Sequence, residues 1–247
     1  MPNRRTLTSI LVVFDLDGTL IDSRADLANS TNEMLVSYGA TRLPDEQVTS
    51  FVGEGARTLV ARALAAAALP AALLDEAVAR YLEFYSGRLL EHTRPYDGVD
   101  DVLAAAIAAG ASLGVITNKP QAPTDRLLHA FGMAHQFQWV IGGDTAFARK
   151  PDPASLIWMM NAAGFEPAQT LFVGDSPVDA DTARAAGAHF CLAEYGFGQQ
   201  HGATALRPDE FRAATARDIT TAIDLVRALS ASPAHSPSSA RPARIPS

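Results

Sequence analysis

The chain has 247 residues, 48% of them apolar, with 27 acidic against 20 basic side chains and a formal charge of −7. That length suits one large domain, or one domain with a second inserted into it, and the acidic balance argues against nucleic acid or a membrane surface as a partner, because both are polyanionic. The single cysteine, Cys191, excludes an internal disulfide and a cysteine-rich zinc site.

From the amino terminus, Arg4 and Arg5 precede the apolar run Ile10 to Phe14, but Asp15 and Asp17 end it too early for a secretory signal. The other long apolar stretch, Ala63 to Leu74, contains Pro70 and is too short to span a bilayer. A cytoplasmic protein is expected. Leu11–Phe14 is short, β-branched and continuously apolar, as a strand buried on both faces of a parallel sheet reads. The next segment, Arg24 to His92, shows no strand pattern and reads as helices over Arg24–Tyr38, Gly55–Ala68 and Ala71–Leu90. Hinges are expected near Ser23 and over Arg94-Pro95-Tyr96-Asp97-Gly98. Val99–Ala109 is a further helix, closed by Gly110. Three more strands follow, Leu113–Ile116, Trp139–Ile141 and Leu171–Val173. Their helices are Pro123–Ala130, Ala154–Ala163 (whose Trp158-Met159-Met160 is read as packing) and Asp179–Ala186. In the later run His189-Phe190-Cys191-Leu192, Cys191 reads as a buried small hydrophobe.

This alternation predicts an α/β fold, a doubly wound, Rossmann-like parallel sheet with right-handed crossovers and an inserted small α-helical cap. The expected core is 8–23 with 94–229, the cap 24–93, and 1–7 and 230–247 are flexible tails rich in small and polar residues. The sequence leaves homo-oligomerisation open.

Ligands bind at the carboxyl ends of strands in such a sheet. The residues that follow the four strands are Asp15, Asp17, Gly18 and Thr19; Thr117, Asn118 and Lys119; Gly142, Gly143, Asp144 and then Lys150; and Gly174, Asp175, Ser176 and Asp179. Several carboxylates converging on one edge repel unless a cation sits among them. An oxygen-only donor set points to magnesium rather than zinc. A lysine, a hydroxyl and an amide beside that metal suit a phosphate group. Asp15 and Asp17 are two apart on extended chain, which puts them on one side with Cα atoms roughly 6.5–7 Å apart. One carboxylate can then attack phosphorus while the other serves the leaving oxygen as acid and the incoming water as base.

Phe14-Asp15-Leu16-Asp17-Gly18-Thr19-Leu20, Thr117-Asn118, Lys150-Pro151-Asp152-Pro153 and Gly174-Asp175-Ser176 with Asp179 resemble, in order and spacing, the four motifs of the haloacid dehalogenase superfamily in its phosphatase form. The resemblance implies the following roles. Asp15 is nucleophile and metal ligand; Asp17 is the acid/base and binds metal through its backbone carbonyl; Thr117, Asn118 and Lys150 hold the phosphate; Asp175 ligates Mg²⁺ and Asp179 supports that shell. It also implies that the helical insertion closes over the site. Val52-Gly53-Glu54-Gly55-Ala56-Arg57, Arg94-Pro95-Tyr96-Asp97-Gly98, Ile116-Thr117-Asn118-Lys119-Pro120 and Ile141-Gly142-Gly143-Asp144-Thr145 are similar to phosphoglycolate phosphatases. The implied partner is a small phosphate ester, with 2-phosphoglycolate foremost. A sugar-phosphate phosphatase or phosphosugar mutase is the alternative on the same core. A signalling receiver shares the aspartate cluster but lacks both the insertion and the Asp17 acid/base. Gly53-Glu54-Gly55 lacks the third glycine and the preceding strand of a dinucleotide loop. Arg57 and Arg62, on the helix after that loop, are expected to face the cleft and meet a substrate carboxylate.

Overall fold

The computed structural model describes residues 9–198 and 204–231. In chain order the elements are β1 (Leu11–Phe14), β2 (Ile21–Asp22), α1 (Arg24–Ser37), α2 (Asp45–Thr49), α3 (Ala56–Ala66), α4 (Leu74–Arg88), β3 (Arg94–Pro95), α5 (Val99–Ala108), β4 (Ser112–Ile116), α6 (Gln121–Ala130), β5 (Trp139–Ile141), α7 (Ala154–Ala163), β6 (Thr170–Gly174), α8 (Pro177–Ala186), β7 (His189–Ala193), β8 (Phe211–Ala213) and α9 (Ile219–Ser230). Six strands form one parallel sheet in the order β5-β4-β1-β6-β7-β8. β1 sits at its centre, where both of its edges are paired and both of its faces are covered.

Alternation along each strand divides the core in two, because successive side chains point to opposite faces. Val12, Phe14, Leu113, Val115, Leu171, Val173 and Cys191 pack against α5, α6 and α9. Leu11, Val13, Ile116, Phe172, Phe190 and Leu192 pack against α7 and α8, where Met159 and Met160 are buried as the packing reading of that run expects. With helices on both faces, the central strand β1 is apolar throughout and the expected doubly wound α/β sheet is what forms.

The inserted segment is helical. Its apolar residues, among them Met34, Leu35, Val60, Leu64, Tyr81 and Leu89, continue the first of these two core clusters. The chain leaves and re-enters the sheet domain through a short antiparallel ribbon, with Ile21 opposite Pro95 and Asp22 opposite Arg94. Just beyond the ribbon the fully buried Asp26 carboxylate accepts from the His92 and Thr93 N–H groups and from Thr93 Oγ1, the last at 2.7 Å.

The structure adds elements that the sequence pattern does not announce: the ribbon, the five-residue α2, strands β7 and β8, and α9. The tails expected at 1–7 and 230–247 lie outside the described residues, except that Ser230 ends α9 and Ala231 caps it. Among the described residues no helix is long and apolar enough to cross a membrane.

Candidate active site

The Asp15 N–H still donates to Val173 O of β6 at 2.9 Å, so the sheet fixes this residue's backbone while its side chain clears the strand end. The chain then turns sharply at Gly18, which has φ +87°, and a Cβ there would lie 1.8 Å from Asp175 Oδ2. Both conditions demand glycine. Asp175 follows β6 and is walled by backbone on a second side: a Cβ on Gly196 would come within 2.4 Å of its Cβ, and one on Gly198 within 2.8 Å of its Oδ1. The Gly198 N–H donates to Asp175 Oδ2 at 2.7 Å.

Lys150 Nζ stands 2.8 Å from Asp15 Oδ1 and 2.6 Å from Asp179 Oδ1. Asp179 in turn accepts from Ser176 N at 3.1 Å and Ser176 Oγ at 2.6 Å, closing a capping box at the start of α8. Asp181, two residues on, is turned outward to Arg184. Burial raises the Asp15 carboxyl from its ordinary 3.8 to about 6; Lys150 opposes the rise, and Asp179 and Asp17 add to it. Burial, followed by Asp179 and Asp15, lifts Asp175 well above the carboxylate range. Burial alone would depress the Lys150 ammonium, but Asp15 and Asp179 outweigh it and hold it above the ordinary lysine value.

Asp15, Asp175 and Asp179 each present one carboxylate oxygen within 4.8 Å of the others, and all three residues are buried. Asp15 Oδ1 accepts no well-formed hydrogen bond in spite of its burial; Lys150 supplies charge to it without hydrogen-bond alignment. Three buried carboxylates around one ammonium leave excess negative charge, and the donors are all oxygen. The residues therefore fit a hard divalent cation.

The Asp17 carboxylate lies outside this trio. It accepts from Ser23 Oγ at 2.6 Å and from Lys119 Nζ at 2.9 and 3.0 Å. Lys119 Nζ also donates to Tyr85 Oη of α4 at 2.6 Å, so one ammonium joins the strand-end acid to the helical insertion. Thr117 is buried beside them, and its Oγ1 accepts from the Lys119 N–H at 3.2 Å. The Asn118 side chain is engaged within the protein. Both of its amide hydrogens are engaged, by Gly53 O at 2.9 Å and Lys150 O at 3.0 Å, while its Oδ1 accepts the Lys150 N–H. It ties three loops together at the edge of the cleft. Asp144, expected on the same edge, accepts the Gln121 N–H away from the carboxylate trio.

Asp15, Asp17, Thr117, Asn118 and Asp175 line one cleft with about 620 Å³ of atom-free space, roofed by the insertion. Arg57 and Arg62 do not face it. Arg57 pairs with Asp75 at 2.6 Å on the outer surface, and Arg62 pairs with Glu54. The residues that α3 turns inward are Ala56 and Leu59. Sequence reasoning missed Tyr85, Ser23 and the role of Lys119. Lys119 directly follows Thr117-Asn118, and Tyr85 lies one helical turn after Tyr81, with the two rings stacked 5.8 Å apart, so each carried a signal, but nothing in the sequence joins the two.

The strand order, the carboxylate trio and the helical roof define a hydrolase class, and the comparisons agree. Residues 12–193 match the haloacid dehalogenase-like hydrolase family, and the chain belongs to it. It is 41% identical over 198 residues to phosphoglycolate phosphatase 1 of Pseudomonas aeruginosa, covering 78% of this chain and 71% of that protein. It is 42% identical over 197 residues to the phosphoglycolate phosphatase of Rhodospirillum rubrum, covering 76% and 81%. Among solved structures, a predicted phosphoglycolate phosphatase from Haemophilus somnus superposes with a TM-score of 0.79 at 32% identity, covering 87% of this chain and 97% of that one.

Proposed function

We propose that this chain is a phosphatase that hydrolyses a small phosphomonoester, 2-phosphoglycolate foremost, through a phosphoryl group held covalently on Asp15. The observation that carries this reading is the Asp15 carboxylate: it is buried at the central strand end and sits 2.8 Å from the Lys150 ammonium. Asp15 attacks phosphorus, the bond to the leaving oxygen breaks, and Asp17 gives that oxygen its proton. Asp17 then takes a proton from the water that attacks the phosphoryl-aspartate, which regenerates Asp15 and releases inorganic phosphate. Lys150 offsets phosphate charge from its anchor on Asp179, and Thr117 offers its hydroxyl hydrogen. Asp15, Asp175 and the backbone carbonyl of Asp17 would hold Mg²⁺, with Asp179 supporting that shell. When bound, the metal neutralises the charge that gathers on the phosphoryl oxygens. The relatives named phosphoglycolate phosphatase support the choice of ester. The acidic charge and the single buried cysteine accord with a cytoplasmic setting.

The test is phosphate release from a panel of small esters, with Mg²⁺ and after exhaustive chelation, by the native chain and by Asp15→Asn. Turnover is expected to depend on Mg²⁺ and to fall by at least about 10³-fold in Asp15→Asn while the circular dichroism is unchanged. Acid quenching during turnover should leave phosphate on Asp15 in the peptide map. Metal-independent turnover, or a folded Asp15→Asn protein of near-native rate, would contradict the mechanism.

A further inference from the structure

The roof of the cleft is apolar and aromatic. Leu27, Val52, Leu59, Tyr81 and Leu82 form most of it, and among the described residues lining the cleft Lys119 is the single cation. Lys150 is drawn away to Asp15 and Asp179 at the phosphate pole. A substrate with a second negative group would therefore find one unmatched requirement and one candidate to meet it. Lys119 is buried, with 4% of its side chain exposed, and among the described residues its anionic contact is Asp17. The phenol oxygen of Tyr85 accepts from the same ammonium, which leaves the phenol's own hydrogen as a donor.

We propose that Lys119, with Tyr85, is the specificity site for a carboxylate on the leaving group. The claim rests on the phosphatase reading above and replaces Arg57 and Arg62, which point elsewhere. Lys119 grips Asp17, two residues from the nucleophile, so the second anion sits within a short linker of the phosphate. The chemical class is the phosphate monoester of a small α-hydroxy carboxylate. In the free protein Asp17 occupies the ammonium in the substrate's place. A substrate carboxylate takes the ammonium and the Tyr85 O–H, and Asp17 is left to its bond with Ser23 Oγ. Because Tyr85 belongs to α4, the same exchange ties recognition to the closed position of the insertion. An ester without the carboxylate cannot displace Asp17 and leaves a buried ion pair in place.

The experiment measures kcat/KM for 2-phosphoglycolate and for ethyl phosphate, in Mg²⁺, with the native chain, Lys119→Met, Lys119→Arg and Tyr85→Phe. The readout is the ratio of the two values, which a general loss of folded or active protein does not move. The native ratio should be large. Lys119→Met should lower it by at least about 30-fold, as expected for loss of a charge-assisted hydrogen bond, and Tyr85→Phe by about 5-fold. Lys119→Arg should retain part of the preference. If Lys119→Met does not fold, Tyr85→Phe, which lacks one hydroxyl, carries the test. A native preference that survives both Lys119→Met and Tyr85→Phe would overturn this assignment and leave the phosphatase reading intact. A native chain that hydrolyses both esters equally would overturn both the assignment and the choice of 2-phosphoglycolate. Hydrolysis of neither ester, with turnover of another ester in the panel, would overturn this assignment and the choice of 2-phosphoglycolate together.

Discussion

Asp15 carries a charge that the fold resists. Its carboxyl, ordinarily at 3.8, is raised to about 6 chiefly by burial, and Asp175 moves in the same direction. The folded chain therefore binds protons between these values that the unfolded chain has already released. Stability of the metal-free protein falls as pH rises through this window. For Asp15 alone the loss is on the order of 3 kcal/mol between about pH 4 and pH 7. Asp15→Asn removes that titration, so in chelator its melting temperature should vary less steeply with pH than that of the native chain and lie above it at pH 7. Thermal melts at half-unit pH steps check both statements. A native chain that grows steadily more stable from pH 4 to 7 in chelator would refute the electrostatic account. Mg²⁺ supplied at pH 7 should raise the native melting temperature more than that of Asp15→Asn, because it binds where the repulsion is.

The contact of α7 with β4 depends on an absent side chain. Gly114 lies mid-strand under Met159, and a Cβ there would meet Met159 Sδ at 2.3 Å. Sulfur is not the tip of that side chain, so relief requires the helix or the rotamer to shift. Gly114→Ala should cost about 1–3 kcal/mol in denaturant unfolding, and Gly114→Ala with Met159→Ala should be less destabilised than the sum of the two single changes. Purely additive effects would show that the two do not meet. Strands such as β1, β4, β5 and β6 were legible in the sequence because burial on both faces makes them continuously apolar. β7 was read only as an apolar run holding a buried Cys191, since His189-Phe190-Cys191-Leu192 has no β-branched residue to mark it as extended. β8 is three residues long with Arg212 exposed, and it gains strand character only by pairing with β7. The carboxylates were legible for the opposite reason: each is polar and follows closely on the end of a strong strand, β1 for Asp15 and Asp17 and β6 for Asp175 and Asp179. The Lys119–Tyr85 bond joins positions 34 apart on different elements, and chain spacing does not record such a contact.

At the scale of the molecule, one side chain adds to the ribbon in tying the two ends of the insertion together. Asp26, at the start of α1, accepts three donors from His92 and Thr93, where the chain returns. Asp26→Ala strands those donors in a buried site, which costs about 3 kcal/mol and lowers the melting temperature by roughly 6–12 °C for a chain of this size. Asp26→Asn, which keeps an acceptor, should lose less. Differential scanning calorimetry distinguishes these outcomes, and a melting temperature unchanged in Asp26→Ala would show that the two ends are held by other means.

The ribbon of Ile21–Asp22 against Arg94–Pro95 has a consequence for how this architecture changes over time. Because Asp22 and Arg94 are direct ladder partners, everything between them departs from and returns to a single point on the scaffold. A stretch attached that way behaves as a cassette: it can be lengthened, shortened or traded for another without altering the register of any of the six parallel strands. The hydrolytic carboxylates and Lys119 stay on one side of that junction, and Tyr85 with the apolar roof lies on the other, so the roof can be remade while the chemistry beneath it is kept.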